Sequence, residues 1–143
     1  MIHLSAKTEY ACLAVLELAI QHENCEPVRI RTIAETHGIP SRFLVQILLQ
    51  LKAAGIVEST RGAAGGYQLG KEPGEISLAE VVSVIEGYCD LLKSNTTEDT
   101  GTSRILLRIW QHVSDVQREL LEDTTFADLV RQASDASRNM YYI

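Results

Sequence analysis

The run Ile56-Val-Glu-Ser-Thr-Arg61-Gly-Ala-Ala-Gly65-Gly66-Tyr67-Gln-Leu-Gly-Lys71 constrains this chain more than any other stretch. Two short strand-like runs flank a glycine-rich turn with basic residues at its edges, directly after a segment of helical apolar spacing. Two short helices followed by such a hairpin build a winged helix-turn-helix, and a cationic wing tip suits phosphate or a minor groove. The segment predicts a mainly α fold with a small β-hairpin wing, and DNA binding is its leading functional reading.

Charge, divided along the chain, agrees. The formal net charge of -6 is wrong for a DNA binder only when taken whole. Residues 29–71 hold six basic side chains (Arg29, Arg31, Arg42, Lys52, Arg61, Lys71) against Glu35 and Glu58, a balance of +4. Residues 72–143 hold six basic and 13 acidic side chains, a balance of -7. An acidic half of this kind steers a polyanion onto the one basic face, although a +4 segment alone also fits an ordinary solvated surface. The 143 residues, 45% of them apolar, are enough for one globular domain with an appended helical element. No run reaches a membrane span and the start lacks a secretory pattern, so a cytoplasmic protein with no membrane partner is expected. Cys12, Cys25 and Cys89 stand far apart with no Cys-x-x-Cys pair, which predicts reduced thiols and excludes a zinc knuckle.

Periodicity sets the order of elements. Residues 5–22 read as a helix opened by Ser5, with Tyr10, Leu13, Ala14, Leu16, Leu18 and Ile20 giving a broad apolar surface. A short helix through Ile33, Ala34 and Glu35 stops at Gly38, and the next begins with Ser41 as its N-cap, burying Phe43, Leu44, Ile47, Leu48 and Leu51 and ending at Gly55. After the wing, Ser77-x-x-Glu80 is a capping box for a helix through Val81, Val82, Val84 and Ile85, closed by Gly87. Residues 93–103 are polar throughout and predict an exposed, mobile loop. A long helix from Ser103 carries Ile105, Leu106, Ile109, Trp110, Val113, Val116 and Leu120, and a final short helix runs through Phe126, Leu129 and Val130.

The division that follows is a winged helix-turn-helix over 1–75 and a helical linker, exposed loop and dimerisation region over 76–143. The long helix needs a partner for its stripe of Ile105, Ile109, Trp110, Val113, Val116 and Leu120. A homodimer supplies one and places two reading heads about 34 Å or a multiple apart on DNA. The alternative is that Ile109, Trp110 and Val113 fold back on their own chain.

The helix from Ser41 is the major-groove candidate. Ser41 and Arg42 can hold phosphates or reach guanine O6 and N7, and Gln46 one turn on can pair with adenine. Arg61 precedes the wing turn, from which a guanidinium can enter a minor groove, with Tyr67 and Lys71 flanking it. Gly62, Gly65 and Gly66 equally suit a plain hairpin that needs positive φ. These glycines match neither Gly-x-Gly-x-x-Gly nor a phosphate loop ending in Gly-Lys-Ser/Thr, and no nucleophile-base signature is present, so an enzyme is not expected. A winged-helix protein-interaction module, answering to a protein partner or metabolite, is the alternative to a DNA-binding regulator.

Taken together, Arg61-Gly-Ala-Ala-Gly-Gly-Tyr-Gln-Leu-Gly-Lys71, Ile39-Pro-Ser-Arg-Phe-Leu-Val-Gln46 and Ser5-Ala-Lys-Thr-Glu-Tyr-Ala11 resemble the Rrf2 (IscR/NsrR/RsrR-type) family of bacterial transcription regulators. Trp110 and the ending Thr125-Phe-Ala-Asp-Leu-Val130 extend the likeness over almost the whole chain. The resemblance implies a homodimeric winged-helix regulator, commonly a repressor of a palindromic operator, with Ser41, Arg42, Gln46, Arg61, Gly66 and Tyr67 in its DNA-reading region. Many such proteins hold an iron–sulfur cluster through three cysteines before the long helix. Residues 93–103 contain no cysteine, so a three-cysteine site is excluded by ligand count. Two alternatives stay open. One is a regulator without a cluster, responding to a metabolite, a partner or thiol oxidation. The other resembles a branch whose 2Fe–2S cluster is held by one cysteine with carboxylate and imidazole ligands; Glu9, His37 and Cys89 match its positions, and Leu13 stands where a histidine is expected, with Cys12 as a neighbouring substitute.

Overall fold

The computed structural model describes residues 4–87 and 94–141, the side chains of 139–141 excepted. Its first helix, α1 (Ala6–Ile20), opens where Ser5 Oγ accepts the Thr8 backbone N–H at 3.2 Å. Ala11, Ala14, Val15 and Leu18 are fully or almost fully buried, and α1 packs against the helices and strand that follow. Ile20, expected on the apolar surface, is exposed at the last turn instead.

The helix pair behind the reading head forms as expected. α2 (Ile30–His37) ends in Gly38, whose φ of 66° is a left-handed cap conformation, and the Ile39 N–H returns to the Ala34 carbonyl at 2.9 Å. α3 (Ser41–Ala53) then starts one residue earlier than expected. Pro40, not Ser41, is the cap residue: its carbonyl accepts from Phe43 and Leu44 N–H at 3.1 and 3.2 Å, and no side chain caps the helix. Leu44, Ile47, Leu48 and Leu51 are each 0% exposed. Phe43, expected among them, is 45% exposed. At about 100° per residue it falls at the rim of the arc that the four leucine and isoleucine side chains define.

The wing is a two-stranded antiparallel sheet, β1 (Val57–Thr60) against β2 (Gly66–Leu69), pairing Val57 with Leu69 and Thr60 with Gly66. Val28, in the extended segment before α2, adds a single antiparallel bridge to β2. Its N–H and carbonyl both pair with Tyr67, each at 2.7 Å.

Ser77 caps α4 (Leu78–Glu86) by accepting the Glu80 N–H at 3.1 Å, and Gly87 closes that helix. Residues 94–100 are exposed, while 101–103, expected in the same loop, form the first turn of α5 (Gly101–Asp123) under Thr100 as N-cap. α6 (Phe126–Tyr141) is 16 residues long rather than short. Its start is a reciprocal box in which the Thr125 N–H donates to Asp128 Oδ2 at 3.0 Å and the Asp128 N–H to Thr125 Oγ1 at 3.2 Å. That bonding holds the half-buried Asp128 carboxyl below the usual carboxylate range. Phe126, 0% exposed, joins the core with Ile76 and Val81, and its N–H bonds the Ile76 carbonyl at 2.9 Å. The chain after α5 is thus fastened to the body that carries the wing.

Candidate nucleic-acid interface

Arg42 and Arg61, the arginines the sequence singled out, both stand exposed at the surface. With the α3 leucines buried, the helix period turns Arg42 and Gln46 outward; Ser41 lies on the side of the buried row but at the first turn, and all three are exposed. The Arg42 guanidinium lies over the Phe43 ring at 5.0 Å, a cation–π contact that holds it beside its own helix without neutralising it. Among the described residues no ion pair engages Arg42 or Arg61.

At the wing tip, Arg61 through Ala64 are exposed and the turn is closed by the Gly65 N–H on the Gly62 carbonyl at 3.0 Å. Gly62 takes a φ of 109°, the conformation that favours glycine. Gly65 and Gly66 have a different reason. A Cβ on Gly65 would lie 2.2 Å from the Thr60 carbonyl oxygen, and one on Gly66 would lie 2.5 Å from that of Val28. Gly66 is therefore a packing glycine that lets β2 meet the Val28 segment. Tyr67 beside it is half-buried against the core.

Sequence reasoning missed one cation here. The exposed Arg29 guanidinium donates to the Ala63 carbonyl, so a second arginine reaches the wing tip from 34 residues upstream. Only the pairing of Val28 with Tyr67 brings it there, and no local pattern announces a long-range rung. Lys71, expected to flank the wing, instead pairs with Glu80 at 2.5 Å. Its charge is answered within the chain by the helix that follows.

The candidate metal ligands are not brought together in the same way. Glu9 is exposed on α1. His37 Nε2 sits 3.1 Å from Glu17 Oε2, and Glu17 is one of the few buried polar residues described. Glu17 lies eight residues, about 12 Å of helix rise, beyond Glu9. Burial pushes the Cys12 thiol up to about 11, which keeps it protonated and a poor ligand at neutral pH. Cys89 lies outside the described residues. Among the described residues no group of three or more His, Cys, Asp or Glu side chains could hold a metal. Glu9, His37 and Cys12, as arranged in one chain, do not fit a cluster. Cys25, by contrast, is exposed and lines a cavity of about 180 Å³ with His22, Val28 and Gln68.

The second feature of the surface is α5. None of its 23 residues is buried. Ile109 is 59% exposed, and Ile105, Leu106, Trp110, Val113, Val116 and Leu120 are likewise exposed. The stripe therefore does not fold back on its own chain. No helix among the described residues is long and apolar enough to cross a membrane.

Comparison with known proteins gives this surface a context. The model of the Rrf2 family, described as an iron-dependent transcriptional regulator, matches residues 4–132. The HTH-type transcriptional regulator CymR of Bacillus subtilis (strain 168) is 31% identical over 141 residues, covering 98% of this chain and 99% of the relative. The HTH-type transcriptional regulator IscR of Vibrio atlanticus (strain LGP32) is 32% identical over 130 residues, covering 90% and 75%. The solved structure of B. subtilis CymR, titled the global cysteine regulator of that organism, superposes with a TM-score of 0.82 at 32% identity, covering 92% of this chain and 98% of that one.

Proposed function

The chain belongs to the Rrf2 family of transcriptional regulators, DNA-binding proteins and not enzymes, and we propose that it acts in the cytoplasm as a homodimeric repressor on a palindromic operator. The observation that carries this reading is the apolar row along α5, from Ile105 to Leu120, left open to solvent while the core residues of the body are buried. Contiguous apolar surface of that kind marks an interface. Two α5 rows laid together bury it, and two-fold symmetry then displays two identical heads to one duplex. In each head α3 enters the major groove, with Ser41 and Arg42 on phosphate or guanine and Gln46 on adenine. The Arg61 wing reaches the adjacent minor groove, with Arg29 beside it. Residues 1–75 serve reading and 76–143 serve pairing, with α6 fastening the second part to the first.

For the signal, the described residues favour a route without a cluster on Glu9, His37 and Cys12. A 2Fe–2S group held by Cys89 with Glu9 and His37 would first have to take His37 from Glu17. A thiol-oxidation signal would enter at exposed Cys25, since Cys12 stays a neutral, half-hidden thiol.

A gel shift against fragments of the sequence upstream of its own gene, at rising salt, tests the DNA reading. Affinity falling steeply with salt is expected; salt-independent binding would contradict it. For the signal, anaerobically purified protein is expected to be colourless, and a visible band lost in Cys89→Ala would establish the cluster route instead.

A further inference from the structure

The outward face of α3 is not uniformly polar. Opposite the buried row of Leu44, Ile47, Leu48 and Leu51, the helix period groups Arg42, Val45, Gln46 and Leu49. Val45 is 40% exposed and Leu49 is 54% exposed. Charge identifies what meets this face. Arg42 stands on this same face, and Arg61 and Arg29 are exposed at the wing tip; cations of this kind suit a polyanion and not an apolar peptide. Val45 lies in the N-terminal turns of α3, the part of a recognition helix that meets base edges. Leu49, seven residues or about 10 Å beyond Arg42, lies past them.

A branched aliphatic side chain in the major groove has one good partner. Thymine presents a C5-methyl there, while the other distinguishing groups are hydrogen-bond donors and acceptors. A donor or acceptor covered by valine would lose its water and gain no bond. We propose that Val45 is a specificity-determining residue that packs on a thymine C5-methyl, so that each operator half-site carries a thymine next to the base read by Gln46. The assignment rests on the DNA-reading function proposed above and adds the chemistry of one base position to it.

Duplexes selected from a randomised pool by the full-length protein define the half-site. Each thymine is then replaced in turn by uracil, which removes only the methyl, and binding is read by fluorescence anisotropy. One thymine per half-site is expected to lose about fourfold in affinity on replacement, the worth of one buried methyl. Val45→Ala is expected to bind the thymine and uracil duplexes equally, while Leu49→Ala keeps the fourfold difference. Because the uracil series needs no protein variant, the proposal is exposed to failure whatever the folding of Val45→Ala. A half-site with no methyl-sensitive thymine, or a methyl effect that Val45→Ala retains in full, overturns the assignment and leaves DNA reading intact. A pool that yields no preferred duplex overturns the function itself, and this inference with it.

Discussion

α3 and α5 both carry apolar residues at steps of three and four, yet they end in opposite situations. In α3 the row of Leu44, Ile47, Leu48 and Leu51 is completely buried, much of it against α1 of the same chain. In α5 no residue is buried, and seven large apolar side chains face outward. Amphipathic spacing thus specifies that a helix has a partner without saying which chain supplies it. The supply is decided by the rest of the fold: Phe126 and Ile76 join the core with residues of α1, while the outward row of α5 takes no part in it.

Substitutions should therefore act differently on the two helices. The largest effect is expected from Ile109→Glu combined with Val113→Glu. Two carboxylates in the α5 row should leave a folded monomer and weaken operator binding by about a hundredfold or more, because the second head loses its tethered advantage. Sedimentation and anisotropy read the two outcomes, and a dimer that survives both charges breaks the contrast. Leu48→Ala should instead cost about 2–5 kcal/mol in denaturant unfolding, by cavity formation in the head. That loss should be the same at every protein concentration, whereas the contribution of α5 to stability should grow with concentration.

A smaller effect tests the charged face. Arg61→Ala should weaken operator binding by roughly tenfold at low salt and make the salt dependence shallower by about one ion, with the dimer mass unchanged. An unchanged salt slope would place Arg61 away from the duplex.

The last effect, absent at neutral pH, concerns Cys12. Its thiol pKa is raised from 9.0 to about 11 in the folded chain, so the unfolded chain loses this proton first as pH rises. The associated stability is complete below pH 9 and is lost progressively toward pH 11, by at most about 2–3 kcal/mol. Cys12→Ala should flatten that part of the stability curve, and a slope identical to that of the parent would contradict the burial argument.

Much of this architecture is legible in the residues because it is local. Ser5 and Ser77 cap their helices, Gly38 turns the chain, and the spacing of Leu44 to Leu51 fixes a buried face, each within one or two turns. What sequence reading misses is contact between distant segments. Arg29 reaches the wing only through Val28 and Tyr67, Lys71 is claimed by Glu80, and His37 by Glu17. Ser41 and Phe43 failed for a subtler reason. A proline carbonyl can close the first turn itself, and a residue at the rim of an apolar arc is placed by its neighbours rather than by its own hydrophobicity.

The central claim is that one duplex is read by two heads joined through α5. Sedimentation of the protein with a duplex containing the selected operator, at low salt, tests it most directly. Two chains per duplex, assembled from a dimer that already exists without DNA, is the predicted result. A monomer in solution that binds the same duplex as a single copy would contradict it.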